Sequence, residues 1–70
     1  MTMTIEFYDE EDTYGRIETE ENPDRIEELL KEYKRTNPEE YNIDDFFLFL
    51  KEKDVDFTQI NIEADRQIYF

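Results

Sequence analysis

The chain has no cysteine, histidine, serine or tryptophan, and only one glycine and two prolines in 70 residues. Each absence removes a class of chemistry. Without cysteine neither disulfides nor thiolate metal sites are available. Without serine, cysteine and histidine the usual nucleophile–base triads are excluded, leaving threonine, tyrosine, lysine and carboxylates for any catalytic work. One glycine builds no glycine-rich phosphate loop. Paired carboxylates can hydrolyse glycosides only from a cleft that flanks a sugar, and a chain of this length leaves little room for one. The expectation is therefore a protein that is not an enzyme, with no catalytic residue, no cofactor and no metal. "MTMTIEF" carries neither a basic leader nor an apolar stretch of signal length. The longest apolar run, Phe46 to Leu50, is far below the roughly 20 residues that span a bilayer. A soluble, cytoplasmic protein is expected.

What the chain has in excess is negative charge. Asp and Glu number 21 against 8 Lys and Arg, for a net charge of −13. With a mean hydropathy of −0.99 this composition on its own reads as disorder. The aromatic content argues the other way: six Phe and five Tyr supply large apolar groups at patterned positions. A single folded domain over residues 1–70 follows, with about 60 to 65% of the unfolded surface buried. Anionic membranes and nucleic acid repel such a surface, so direct binding to either is not expected, whereas a basic partner is attracted.

Hydrophobic periodicity lays out the elements. "MTIEFY" alternates Met3, Ile5 and Phe7 against Thr4, Glu6 and Tyr8, the period of a half-buried strand. "RIET" answers it with Ile17 and Thr19 on one face, and Gly15 before it is a natural site for positive φ in the turn of a hairpin. "NPDRIEELLKEYKR" predicts a helix with Asn22 as N-cap, Pro23 at the first position, cations in the last turn and a stripe of Ile26, Leu29, Leu30 and Tyr33. "YNIDDFFLFLKEKD" repeats the device: Asn42 caps, Ile43, Phe46, Phe47 and Leu50 make the stripe, and Tyr41 packs on Phe46 as a hydrophobic staple. The tail alternates Thr58, Ile60, Ile62 and Ala64, turns near Asp65 and returns with Ile68 and Phe70, which reads as a second hairpin. The order ββααββ predicts an α+β fold, an antiparallel sheet of two hairpins with both helices packed on one face.

The acids are unevenly placed. Residues 1–28 hold eleven acids and two arginines, a net of −9, and residues 29–70 hold ten acids and six basic groups, a net of −4. Glu10, Asp12, Gly15, Ile17 and Glu21 fall at EF-hand-like positions, yet the first position is Glu rather than Asp and the incoming segment reads as a strand where that motif needs a helix. Helix termini use a few carboxylates, such as Asp24 and Asp44. Solubility alone is a sufficient use for the rest, and salt adaptation is a weaker one, since the chain keeps its lysines and large apolar groups. The functional reading is an acidic surface addressed to a basic groove, with Asp9, Glu10, Glu11, Asp12, Glu18, Glu20, Glu21, Asp24, Glu28, Asp44 and Asp45 as candidate partner-binding residues. Leu48 joins them. At 100° per residue it falls about 140° from Ile43 on the second helix, an aliphatic group on the charged face.

Same-face residues on a strand recur at about 6.6 to 6.8 Å and helix neighbours at i+4 at about 6 Å, comparable to phosphates whose axial rise is about 3.4 Å per strand. In size, acidity and lack of catalytic groups the chain resembles the acidic DNA-mimic inhibitors of phages and mobile elements, the anti-restriction and anti-CRISPR proteins. The resemblance lies in composition over the whole chain. It implies an inhibitor that occupies the nucleic-acid-binding site of a basic nucleic-acid-binding protein. An antitoxin or small adaptor that binds one basic protein without mimicry is the alternative. If the acids repel one another, screening stabilises the fold. Melting temperature should rise from about 0.01 M to about 0.1 M monovalent salt, as the Debye length falls from about 30 Å to about 10 Å. A flat or falling midpoint in thermal melts would show that the charges are compensated within the fold.

Overall fold

A computed structural model describes residues 2–70. The elements run β1 (Met3–Tyr8), β2 (Thr13–Thr19), α1 (Pro23–Thr36), α2 (Ile43–Glu52), β3 (Phe57–Gln59) and β4 (Arg66–Tyr69). The ββααββ order and the α+β class match the reading of the sequence. The arrangement of the sheet does not. Its strand order is β3-β2-β1-β4, with β1–β2 and β2–β3 antiparallel but β4 parallel to β1. The sheet is therefore mixed, and the tail forms no hairpin.

The physical reason lies in β1. Ile5 and Phe7 are fully buried, and a first strand paired only with β2 would leave one row of backbone donors and acceptors open beside them. Adding β4 to that edge makes β1 central and brings Ile68 and Phe70 into the same core. The chain reaches it by a short path. β3 and β4 are three strand spacings apart, about 14 Å. Ile60 N–H donates to Arg16 O at 3.0 Å and Asp65 N–H to Thr4 Oγ1 at 2.8 Å, which sets the ends about 7 Å apart along the strands. Five residue steps reach at most about 17 Å. Residues 60–65 thus cross from β3 to β4 in a largely extended diagonal, bent at Ile62 and Asp65, and Ile62 is exposed.

The helices follow their signals. Asn22 Oδ1 accepts from Asp24 N–H at 2.8 Å and Asn42 Oδ1 from Asp45 N–H at 2.9 Å. The stripes Ile26, Leu29, Leu30, Tyr33 and Phe46, Phe47, Leu50 are buried together with Ile5, Phe7, Ile17 and Ile68, with Ile43 packed at the margin. Tyr41 finds a different partner from the expected Phe46: its ring lies 5.7 Å from that of Phe70, which lies 6.0 Å from Phe46. Gly15 sits inside β2 with an ordinary negative φ. What requires glycine there is space, since a Cβ would stand 3.2 Å from Phe47 Cζ.

Among the described residues, the positive φ is at Asp54, 61°. It ends α2 in a Schellman arrangement: Val55 N–H donates to Leu50 O at 3.0 Å, Asp54 N–H donates to Lys51 O at 3.1 Å, and Val55 is buried beside Leu50. Glycine is the residue suited to that position, and Asp there also sets a negative charge at the negative end of the helix. Asp54→Gly should therefore stabilise the protein by about 1 kcal/mol, raising the melting temperature by about 4 to 8 °C. An unchanged or lower midpoint would show that the Asp54 side chain has a compensating role.

Candidate functional site

The acid-rich stretch from Asp9 to Glu28 does not form one patch, because β2 runs through its middle. Asp9 to Asp12 make the β1–β2 turn, and Glu20, Glu21 and Asp24 lie past the far end of β2 and in the first turn of α1. At about 3.3 Å per residue, Asp12 and Glu20 stand roughly 26 Å apart, most of the molecule's 32 Å long dimension. Glu18 faces out from the sheet with Thr58 opposite it, and Glu28 is exposed on α1. The EF-hand-like positions Gly15 and Ile17 lie on extended strand, which wraps around no ion.

The two ends differ in how their charge is used. Glu21 pairs with Arg25 at 3.6 Å and Asp24 with Arg66 at 3.4 Å, both largely exposed. Glu32 reaches Lys53 at 3.9 Å. Glu6, on the open sheet face with its side chain 14% exposed, takes Arg16 Nε at 2.7 Å and Gln67 Nε2 at 3.4 Å. Among the described residues, no carboxylate of the turn is in an ion pair.

That turn is held by Asp9. Its Oδ1 accepts from Glu11 N–H and Asp12 N–H, both at 2.8 Å, and its Oδ2 accepts from the Tyr14 hydroxyl. The Tyr14 bond, followed by the backbone donor at Glu11, holds the Asp9 carboxyl below its ordinary range. The same bond, with burial and neighbouring carboxylates adding, pushes the Tyr14 phenol up to about 12. Tyr69 is raised as well, chiefly by the charge of Glu10.

Beside the turn lies a cleft of about 230 Å³ lined by Asp9, Tyr14, Tyr41, Asn42, Ile43, Tyr69 and Phe70. Its rings come from three segments: Tyr14 in β2, Tyr41 before α2, and Tyr69 with Phe70 at the end of β4. Tyr14 and Tyr41 both meet Phe70 edge-on, at 5.3 and 5.7 Å, and Tyr69 meets Tyr8 at 5.6 Å. Tyr14 and Tyr41 are each 43% exposed and Tyr69 is 53% exposed, so all three side chains reach solvent. Lys34, in the last turn of α1, places Nζ 5.0, 5.8 and 5.4 Å from the centroids of Tyr41, Tyr69 and Phe70, and burial there lowers its pKa.

The connection between the helices adds acids to this end. Glu39, Glu40 and Asp45 border a shallow groove with Asn42, and Asp44 and Asp45 open α2 directly after the cleft residues. Asp9 lines the aromatic cleft, with Glu10 to Asp12 following it in the turn and Glu39, Glu40, Asp44 and Asp45 flanking the lining residues Tyr41 to Ile43 along the chain. Glu18, Glu20, Glu21 and Asp24 fall at the other end. Leu48 is 59% exposed one turn beyond Asp44 and Asp45, so it packs beneath no neighbouring element. Sequence reading missed Glu39 and Glu40, which lie beside a helix-breaking proline, and the ring set. The available signal for the rings was five tyrosines in a chain too small to bury them all. Among the described residues no helix is long and apolar enough to cross a membrane.

The Asp9–Tyr14 bond sets a pH window. Asp9, depressed when folded, contributes stability above the unfolded carboxyl range near pH 4, and this is lost as pH falls further. Tyr14, raised when folded, contributes stability that is complete below the unfolded phenol pKa near 10 and is lost as pH rises through about 12. Tyr14→Phe should return Asp9 toward its ordinary range in a carboxyl-carbon NMR titration. Asp9→Asn should lower the Tyr14 ionisation read by tyrosinate absorbance. Two unmoved titrations would mean that the bond does not persist in solution.

The chain matches no known family model, no curated protein and no solved structure.

Proposed function

We propose that the protein is a non-enzymatic acidic binding protein whose turn end occupies the basic nucleic-acid-binding site of a partner protein. The observation that carries this reading is the acid rim of the aromatic cleft: Asp9 to Asp12, Glu39, Glu40, Asp44 and Asp45, none of them in an ion pair among the described residues. A net charge of −13 in 70 residues costs stability through self-repulsion, and the fold leaves this part of it uncompensated. An apolar centre within a charged rim is also the usual anatomy of a protein interface. The molecule's 32 Å length covers about nine phosphate steps at about 3.4 Å each, enough to fill a short basic groove. Acids at both ends of β2 present charge along that length.

The second reading, an antitoxin or adaptor that binds one basic protein without mimicry, is favoured by the cleft itself, because a phosphate row offers nothing equivalent to a ring-lined hollow. Competition separates the two: a mimic displaces nucleic acid from its partner, and an adaptor leaves it bound. The test begins with affinity capture of a partner and then compares wild type with Glu10→Lys, Glu11→Lys, Glu39→Lys and Glu40→Lys combined. Among the described residues these four side chains make no hydrogen bond or ion pair, so the change from −4 to +4 leaves the Asp9 turn intact. The variant should associate at least about tenfold more slowly at low salt, with the difference shrinking as salt rises. Unchanged rate and affinity would assign the acidity to solubility alone.

A further inference from the structure

The cleft is too small for an ordinary metabolite. Ligand pockets usually measure about 300 to 1,000 Å³, against about 230 Å³ here, which suits one side chain. Its walls say which kind. Three tyrosine rings and Phe70 supply π faces, and among the described residues the only charged side chain in the lining is that of Asp9, fixed by three donors. The rings already hold a cation within the chain, since Lys34 Nζ is within 5.8 Å of three of them. Lys34 is not among the residues that line the cleft.

We infer that the cleft receives one arginine side chain of a basic partner protein, with its guanidinium stacked on the tyrosine rings and directed at Asp9 and Tyr14. The inference rests on the proposed basic partner and adds where and through which side chain it docks. Arginine is preferred over lysine on three grounds. Its planar group stacks on ring faces, it gives up hydration more readily than an ammonium, and its forked N–H donors match two adjacent oxygens. The cleft provides such a pair in Asp9 Oδ2 and the Tyr14 hydroxyl, which are hydrogen-bonded to each other. The hydroxyl donates to Asp9 and so retains acceptor capacity for a partner N–H. The acidic rim attracts any cation, and the rings select a flat one.

The test is an NMR titration of the whole chain with three blocked tripeptides, glycine–X–glycine, with X arginine, lysine or norleucine. The arginine peptide should saturably shift resonances of Tyr14, Tyr41 and Tyr69, the lysine peptide should bind more weakly, and norleucine should leave them unmoved. Tyr41→Ala should weaken arginine binding by roughly two- to thirtyfold, the range expected for loss of a cation–π contact, while Tyr41→Phe, which keeps the ring face, should retain it. Asp9→Asn, which preserves the turn acceptor, should weaken it as well. Shifts spread evenly over Glu20, Glu28 and the turn, equal binding of arginine and lysine peptides, or indifference to Tyr41→Ala would overturn the inference. An octalysine peptide titrated in parallel separates the two levels. If it binds the acidic end while the arginine peptide ignores the cleft, the basic-partner reading stands and the arginine site falls. If octalysine also fails to bind, both fall.

Discussion

The fold depends on the ring of Phe46. It is fully buried, and its centroid lies 5.4 Å from Phe7 in β1, 5.6 Å from Tyr33 in α1 and 6.0 Å from Phe70 just after β4. Phe47 and Phe49 flank it on α2 at 6.4 and 6.5 Å. Each such pair contributes about 0.5 to 1.5 kcal/mol beyond the area it buries. A domain of this size has a total stability of roughly 4 to 10 kcal/mol at about 0.05 to 0.15 kcal/mol per residue. One α2 side chain therefore binds the central strand, the other helix and the end of the chain into one core. It also fixes where α2 begins, and so where Tyr41, Asn42 and Ile43 meet Tyr14 and the β1–β2 turn.

The helices were legible because their information is local. Caps, first-turn acids, last-turn cations and the 3.6-residue stripe all sit within fourteen residues and agree with one another, and the structure buries the residues that pattern selects. Alternation likewise assigned Ile5, Phe7, Ile17 and Thr19 to the inner face. Alternation states which face a strand buries and is silent about which strand it pairs with. The tail shows the consequence. Ile60, Ile62 and Ala64 alternate as a strand would, yet the open edge of β1 draws Arg66 to Tyr69 across the sheet, and the alternating segment becomes the diagonal connection.

The candidate site divides the same way. Each carboxylate was visible as a residue type, but a run in sequence was read as a cluster in space. An extended strand separates residues by more than three times the Debye length of about 8 Å at physiological salt when it carries eight of them, so β2 converts one acidic run into two nearly independent groups. This relieves much of the repulsion that a single patch would carry. It leaves the far group beside Arg25 and Arg66 and the turn group without ion pairs. The ring cleft was illegible for the opposite reason: Tyr14, Tyr41 and the adjacent pair Tyr69 and Phe70 lie in three distant stretches of the sequence and meet only after the sheet and helices have closed.

On the proposed function, acidity and aromatic surface have different tasks at that end of the molecule. Exposed charge acts over about one Debye length and raises the encounter rate with any basic surface, while contributing little to the choice among them. Choice requires contacts that are short, desolvated and shaped, and these are what tyrosine supplies at low conformational cost. The Asp9–Tyr14 bond keeps the two properties together across the physiological range. It moves the carboxyl further below and the phenol further above the physiological range, where the acceptor is charged and the donor protonated even at their ordinary values. Phenylalanine in place of Tyr14 would retain the ring while releasing Asp9. Tyrosine at that position is what couples the charged rim to the aromatic wall.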